Sequence, residues 1–261
     1  MTVINYNMMK IIKIGGNVID NPQKLSSFLS DFSKIKGDKI LIHGGGTIAS
    51  KLGKQMGIEP VMHEGRRITN AESLDLTTMI YAGLLSKNIV ADLQAVNCNA
   101  IGLSGADANV ITARKRPVKD INYGFVGDVI SINSDTISEL IKIGLVPIFN
   151  AITHDKKGQL LNTNADTIAS ELAVGLAKKY DVELIYLFEK DGVLSDLENN
   201  IVIPEIDKSS FVELKNEGII QNGMIPKLDN CFYALENGVK SVKIAGEKYL
   251  SNAKNIFTEV K

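Results

Sequence analysis

The chain has 261 residues, 44% of them hydrophobic and 23% charged, with a formal net charge of −1 at pH 7. That length bounds it to one large α/β domain or two smaller lobes sharing a sheet, and the near-neutral charge excludes nucleic-acid or membrane-surface binding driven by bulk charge. No apolar run approaches the roughly 20 residues of a membrane-spanning helix, and Cys98 and Cys231 form no CxxC pair, so the expectation is a cytoplasmic protein with reduced, structural thiols.

The first ten residues lack the basic n-region and apolar core of a signal peptide, and the structural start is expected near Met8 or Met9. Residues 10–14 read as a strand, 22–35 as a helix, 39–43 as a strand and 46–57 as a helix that opens on a glycine run. Residues 60–69 suggest a hairpin or lid. A long helix is expected over 70–96, capped by Asn70, with Leu74, Ile80, Leu84, Leu85, Ile89 and Leu93 on its apolar face. A short strand at 99–103 precedes an alternating stretch, 110–132, whose Gly124 and Gly127 suit an antiparallel ribbon. A helix at 134–143 leads to a strand at 145–149. Residues 159–162 end a hairpin, and a helix follows at 165–179. Beyond it come a strand at 182–188, helices at 209–217 and 223–237, a strand at 240–244 and an edge strand at 254–259. This alternation implies a largely parallel sheet covered by helices. With no Pro/Ser linker, two lobes on one continuous sheet are expected, divided near residues 175–185.

Two glycine clusters follow strand-like runs directly: Gly15-Gly16 after residues 11–14, and Gly44-Gly45-Gly46 after residues 39–43. Glycine lets a backbone approach a ligand closely, and bare N–H groups at a helix start bind oxyanions. Two such loops at neighbouring strand ends imply one site for two anionic ligands. Lys13 lies inside an apolar strand just before the first loop, where a lysine is costly unless its ammonium meets an anion; alone, it reads equally well as a strand-end lysine turned to solvent. Arg67 can clamp a carboxylate bidentately, whereas Arg66 reads as a solvated neighbour. Asn162, Asn164 and Asp166 open a helix; a cap explains one of the three. Lys227 stands in the first turn of a helix, where the dipole disfavours a cation, which hints at a bound anion.

Other chemistries are excluded. Walker A, GxGxxG, the protein-kinase HRD and DFG sets and the GxSxG elbow are absent, and His43, His63 and His154 show no metal spacing. Phosphoryl transfer from ATP needs positive charge on the transferring group, which two lysines and backbone N–H groups supply, with Mg²⁺ carried by the nucleotide and no protein metal site. A carboxylate acceptor is already ionised at pH 7 and needs no general base. Asp166 then orients the lysines.

In these segments the chain resembles the amino acid kinase family. The matching segments are residues 12–16, 43–46, 65–69, 102–107, 162–166 and 223–227, in family order over nearly the whole chain. The resemblance implies a three-layer αβα sandwich with a mainly parallel open sheet, an acceptor lobe at 1–180 and a nucleotide lobe at 181–261. It implies ATP-dependent phosphorylation of the γ-carboxylate of N-acetyl-L-glutamate, with ATP and Mg²⁺. It puts Lys13 and Lys227 on the transferring phosphoryl group with Asp166 between them. It puts Gly45 and Gly46 on the acceptor's γ-carboxylate, and Arg67, Asn162 and Asn164 on the rest of the acceptor. The nucleotide is bordered by Gly15, Gly16, Glu189, Lys190, Asp191, Gly192, Val193, Leu194, Ile219, Ile220, Gln221 and Gly223.

The chain departs from the family pattern in Phe188-Glu189, where a Thr/Ser-Asp pair is usual, and in the missing glycine-threonine ending after Lys254. It shows no long N-terminal helix of the kind linked to arginine-inhibited hexamers, so a homodimer without arginine feedback is expected. An N-succinyl acceptor would want an extra cation near the acyl pocket, for which Arg66, Lys115 and Arg116 are candidates. The competing readings are a relative with another acceptor (aspartate, glutamate, carbamate or UMP) and a non-catalytic ligand-binding member of the fold, which would have lost a catalytic lysine.

Overall fold

Residues 11–14, 40–43 and 182–188 are apolar at nearly every position rather than at every second one, the pattern of strands covered on both faces. The computed structural model describes residues 8–63, 66–196, 198–251 and 256–261. It makes these three runs adjacent strands at the centre of the molecule. In chain order, β1 (Met9–Ile14) leads through a short turn α1 (Gly16–Ile19) to α2 (Pro22–Lys34), and β2 (Lys39–His43) leads to α3 (Gly46–Gln55). A hairpin of β3 (Val61–His63) and β4 (Arg66–Ile68) precedes a helix built of α4 (Ala71–Thr78), a π-helical stretch (Met79–Leu85) and α5 (Ser86–Ala95). Then come β5 (Ala100–Leu103), the ribbon β6 (Ile111–Lys115) and β7 (Gly127–Ile132), α6 (Ser134–Lys142), β8 (Val146–Phe149), the hairpin β9 (Ile152–His154) and β10 (Leu160–Asn162), and α7 (Ala165–Ala177). The remainder is β11 (Val182–Phe188), β12 (Leu194–Asp196), β13 (Ile201–Val202), β14 (Glu205–Ile206), α8 (Lys208–Asn216), α9 (Ile225–Glu236), β15 (Ser241–Gly246) and β16 (Phe257–Val260).

The main sheet has eight strands in the order β14-β16-β15-β11-β1-β2-β8-β5. All its neighbours are parallel except β15 and β16. Helices α6, α7 and α9 pack on one face, and α1, α2 and α5 on the other, which gives the αβα sandwich that the family resemblance implied. From β1 the chain runs outward through β2 on one side and later returns to β11 on the other. The carboxyl ends of β1, β2 and β11 thus meet at a topological switch point, where open α/β sheets bind ligands. The helix α7 lies under these ends, its face of Ile168, Ala169, Leu172, Ala173 and Leu176 wholly buried. The sequence division near residues 175–185 falls at the connection from α7 to β11.

Three elements differ from expectation. Along the long helix Leu74, Ile80, Leu85, Ile89 and Leu93 are buried, but Leu84 is half-exposed. The i→i+5 bonding of Met79–Leu85 puts an extra residue into the turn and rotates Leu84 outward. The strand expected at 254–259 is β16, and it is no edge: β15 pairs one side of it and β14 the other. The strands β12, β13 and β14 are two or three residues long, too short to show a periodicity. The hairpin tip at Gly65, residues 254–255 of the expected last strand and residues 1–7 lie outside the described residues.

Candidate active site

β1 and β2 both end in glycine and then turn into helices, and the two turns do different work. The N–H of Gly15 donates to the carbonyl of Leu187 at 3.0 Å, so it ties β1 to β11 and is spent. Gly16, Gly44, Gly45 and Gly46 line a cavity of about 560 Å³ at the strand ends, with Lys13, Tyr81, Arg66, Arg67, Arg116, Asn162 and Asn164 among its other walls. Gly45 has φ 150°, and a Cβ there would stand 2.4 Å from Leu85 Cδ1 and 2.9 Å from Tyr81 Cδ1. Only glycine meets both demands. The start of α3 is thereby pressed against the π-helical stretch, and the residues whose N–H groups lack an intrahelical partner begin at the cavity's edge.

Lys13 is buried, and its ammonium lies 2.6 Å from Asp166 Oδ1. Asp166 stands in the first turn of α7, where the helix dipole favours an anion, and its backbone carbonyl accepts from the buried Tyr186 hydroxyl at 2.9 Å. Lys227, in the first turn of α9, completes the group. Its Nζ sits 3.8 Å from the centroid of the Phe188 ring, and Lys13 Nζ lies 5.3 Å from the same centroid. Burial pushes the Lys227 ammonium below the ordinary lysine value; Asp166 pulls it back up and Lys13 pushes it further down. Two cations, one carboxylate and one aromatic face therefore meet where β1, β11, α7 and α9 converge. Phe188, which replaces a hydroxyl residue of the family pattern, serves here as a platform for ammonium groups.

Arg67 reaches over the other side of the cavity. Its Nη2 donates to the Gly46 carbonyl at 3.0 Å and to Ser50 Oγ at 2.7 Å. Asn162 Nδ2 donates to Thr69 Oγ1 at 3.1 Å, tying β10 to the end of the hairpin that carries Arg67. Asn164 is the cap of α7: its Oδ1 accepts from the N–H of Asp166 and of Thr167 at 2.8 and 3.1 Å. The three polar residues of that segment thus have three separate tasks, and the amide nitrogen of Asn164 and the second amide hydrogen of Asn162 are left for a ligand in the cavity both residues line. Arg66 and Arg116 both line the cavity, but Arg116 is held by Asp128 through Nε and Nη2 at 3.0 and 2.6 Å. Lys115 instead stacks on Phe125 at 4.5 Å.

Of the residues read as a nucleotide border, only Gly16 lines this cavity. The side chains of Val193, Leu194 and Ile220 are buried in the interior, so these three can offer a nucleotide only their backbone. Glu189, Lys190, Asp191, Ile219 and Gln221 are exposed. Gly192 and Gly246 allow close packing of the loop after β11: a Cβ on Gly192 would meet Val202 at 2.6 Å, and one on Gly246 would meet Asp191 Oδ1 at 2.2 Å. Among the described residues no three His, Cys, Asp or Glu side chains gather into a metal-binding group.

Sequence reasoning missed Ser50, Thr69 and Tyr81. The first two are hydroxyls of unremarkable spacing. Tyr81 is buried and forms one wall of the cavity; burial pushes its phenol up, with the Arg67 guanidinium opposing part of that effect. An aromatic residue on an amphipathic helix carries no signal to separate it from the core.

The model of the amino acid kinase family matches residues 8–246 of the chain. The chain is 51% identical over 250 residues to an acetylglutamate kinase of Parabacteroides distasonis, covering 95% of this chain and 98% of that one. It is 54% identical over 237 residues to an acetylglutamate kinase of Phocaeicola vulgatus, covering 90% and 92%. The solved carbamate kinase of Giardia lamblia bound to AMP-PNP superposes with a TM-score of 0.72 at 16% identity, covering 97% of this chain and 98% of that one, a likeness of fold. With this match over most of its length, the chain belongs to the amino acid kinase family.

Proposed function

We propose that the chain transfers the γ-phosphoryl group of ATP to the γ-carboxylate of N-acetyl-L-glutamate, giving N-acetylglutamyl 5-phosphate for arginine biosynthesis. The observation that carries the chemistry is the Lys13–Asp166 pair, 2.6 Å apart, with Lys227 on the same Phe188 ring. The relatives named acetylglutamate kinase support the acceptor. A carboxylate oxygen attacks the γ-phosphorus, the bond to the ADP oxygen breaks, and no proton moves. Negative charge grows on the leaving oxygen and stays on the phosphoryl oxygens, so fixed cations stabilise it without reorganisation. Lys13 and Lys227 flank that group, and Asp166 holds them in place. The N–H groups at the start of α3, Gly45 and Gly46, take the γ-carboxylate; Arg67, Asn162 and the Asn164 amide take the remainder of the acceptor. Gly16 and the loops at 189–194 and 219–223 border the nucleotide, whose Mg²⁺ neutralises phosphate charge. In this reading residues 1–180 form the acceptor lobe and 181–261 the nucleotide lobe of a cytoplasmic homodimer that binds no nucleic acid.

A second acceptor is favoured by one observation: Arg66 lines the cavity beside Arg67, in addition to Arg116, whose charge Asp128 already meets. One guanidinium suffices for the acceptor's α-carboxylate. The excess suits an N-succinyl group, which brings another carboxylate. MgATP-dependent acyl-phosphate formation, trapped with hydroxylamine, separates the two when N-acetyl- and N-succinyl-L-glutamate are run side by side with aspartate and glutamate. The expected result is turnover of an N-acylglutamate and none of the free amino acids. Preference for the succinyl compound keeps the mechanism and changes the acyl group; absence of activity with all four overturns the acceptor.

A further inference from the structure

The π-helical stretch Met79–Leu85 is an uncommon element, and π turns inside α-helices occur frequently at functional sites. Here its effect is concrete. It turns Leu84 outward and sets Tyr81 and Leu85 against the glycines that open α3. A Cβ on Gly45 would stand 2.9 Å from Tyr81 Cδ1 and 3.0 Å from Cε1, and one on Gly46 would stand 3.9 Å from the Tyr81 hydroxyl. The ring therefore lies along Gly45 and its hydroxyl lies beside Gly46, inside the cavity that Lys13 and Arg67 also line.

Tyr81 buries its ring and stands on the cavity wall, an arrangement in which the phenolic proton goes to whatever occupies the cavity. The nearby Arg67 cannot accept it, since a guanidinium only donates. The hydroxyl is not among the buried polar atoms without a partner, and Tyr81 lines the cavity, so its proton is available to water or to a guest there. The chemistry that completes the site is an anion, and the adjoining N–H groups of α3 favour the same guest.

We propose that Tyr81 is an acceptor-binding residue whose phenolic O–H donates a hydrogen bond to the carboxylate seated over Gly45 and Gly46. This rests on the assignment of that seat to the acceptor's γ-carboxylate. The π turn is what brings the hydroxyl there, and a neutral donor suits the position: it orients the attacking carboxylate without the charge of another lysine, which would hold the nucleophile back. Burial keeps the phenol protonated across the working range of pH.

Tyr81→Phe removes the hydroxyl and leaves the ring against Gly45. Loss of a hydrogen bond to a charged group predicts an acceptor KM higher by roughly 10- to 100-fold, with the ATP KM unchanged and kcat within about threefold by the same reasoning on uniform binding. Calorimetric binding of N-acetyl-L-glutamate, or of the succinyl compound if that is the one turned over, must weaken in step. The same substitution in an Arg67→Lys background separates direct contact from an effect through Arg67: the acceptor KM must rise again. An unchanged acceptor KM in Tyr81→Phe, or a loss that vanishes in the Arg67→Lys background, overturns the proposal while the active wild type keeps the site assignment intact. A wild type that phosphorylates no N-acylglutamate overturns the assignment and this proposal with it.

Discussion

Phe188 shows how a single residue can set the behaviour of a charged centre. Two ammonium groups held close together repel, and burial makes the repulsion stronger. Asp166 offsets one of them directly. The Phe188 face, 3.8 Å below Lys227 Nζ, offsets part of the other, an interaction worth about 0.5–2 kcal/mol. Phe188→Leu keeps an apolar side chain and removes the ring quadrupole. The expected result is a kcat lower by roughly 2- to 30-fold, the same energy read as a rate. The pH profile carries a sharper mark. Lys227 acts as a cation, so kcat is lost as pH rises through its folded-state pKa, which burial already holds below the ordinary lysine value of 10.5. In the variant that alkaline limb moves to lower pH. A profile and rate identical to wild type would reduce Phe188 to packing. At this scale the sequence was informative wherever a residue was in the wrong place for its chemistry. Lys13 in an apolar strand and Lys227 at the positive end of a helix both drew attention to the place where the two ammonium groups gather beside Asp166 and Phe188. Tyr81 and Phe188 did not, because apolar rings belong in strands and helices, and only the fold shows what stands on them.

β2 is an element whose apolar run ends on a titratable group. His43 is wholly buried; its Nδ1 donates to the Gly44 carbonyl at 2.9 Å, and its Nε2 has no partner among the described residues. Burial pushes its pKa down from 6.5 to about 4. Above pH 6.5 the imidazole is neutral in the folded and unfolded chains alike, and stability is fully present. As pH falls from 6.5 towards 4 the unfolded chain takes up a proton that the fold refuses, so stability is lost over that window. At about 1.4 kcal/mol per unit, the loss approaches roughly 3 kcal/mol by pH 4. Urea midpoints at pH 7 and pH 5 should therefore differ in the wild type and differ less in His43→Gln. The same drop in both proteins would place the acid sensitivity elsewhere. The elements themselves were largely legible, since period, glycine and caps agree along the chain, and Asn70 caps α4 as read. What was not legible came from tertiary contact: the outward turn of Leu84 goes with a π stretch packed against Gly45, and β14 exists only because β16 lies beside it.

For the molecule as a whole, the same π stretch has an outer side. Met79 and Leu84 stand 54% and 48% exposed, five residues apart in a stretch bonded i→i+5 and hence one above the other. Lone exposed apolar residues are ordinary, but a stacked pair on the outer face of the helix that positions Tyr81 offers a surface for a second copy, and a symmetric pairing buries the same patch twice. In the proposed homodimer this face is covered, which holds the π turn from outside as Gly45 holds it from within. Multi-angle light scattering at micromolar concentration should give twice the 28.4 kDa of one chain. Met79→Lys with Leu84→Lys should shift the mass towards one chain, since burying two charges costs several kcal/mol. Because the helix also carries Tyr81, monomerisation should raise the acceptor KM while the ATP KM stays within about twofold by the same uniform-binding logic. A wild-type monomer would remove the homodimer, a hexamer would mean a further interface, and a dimer insensitive to both lysines would move the interface to another face.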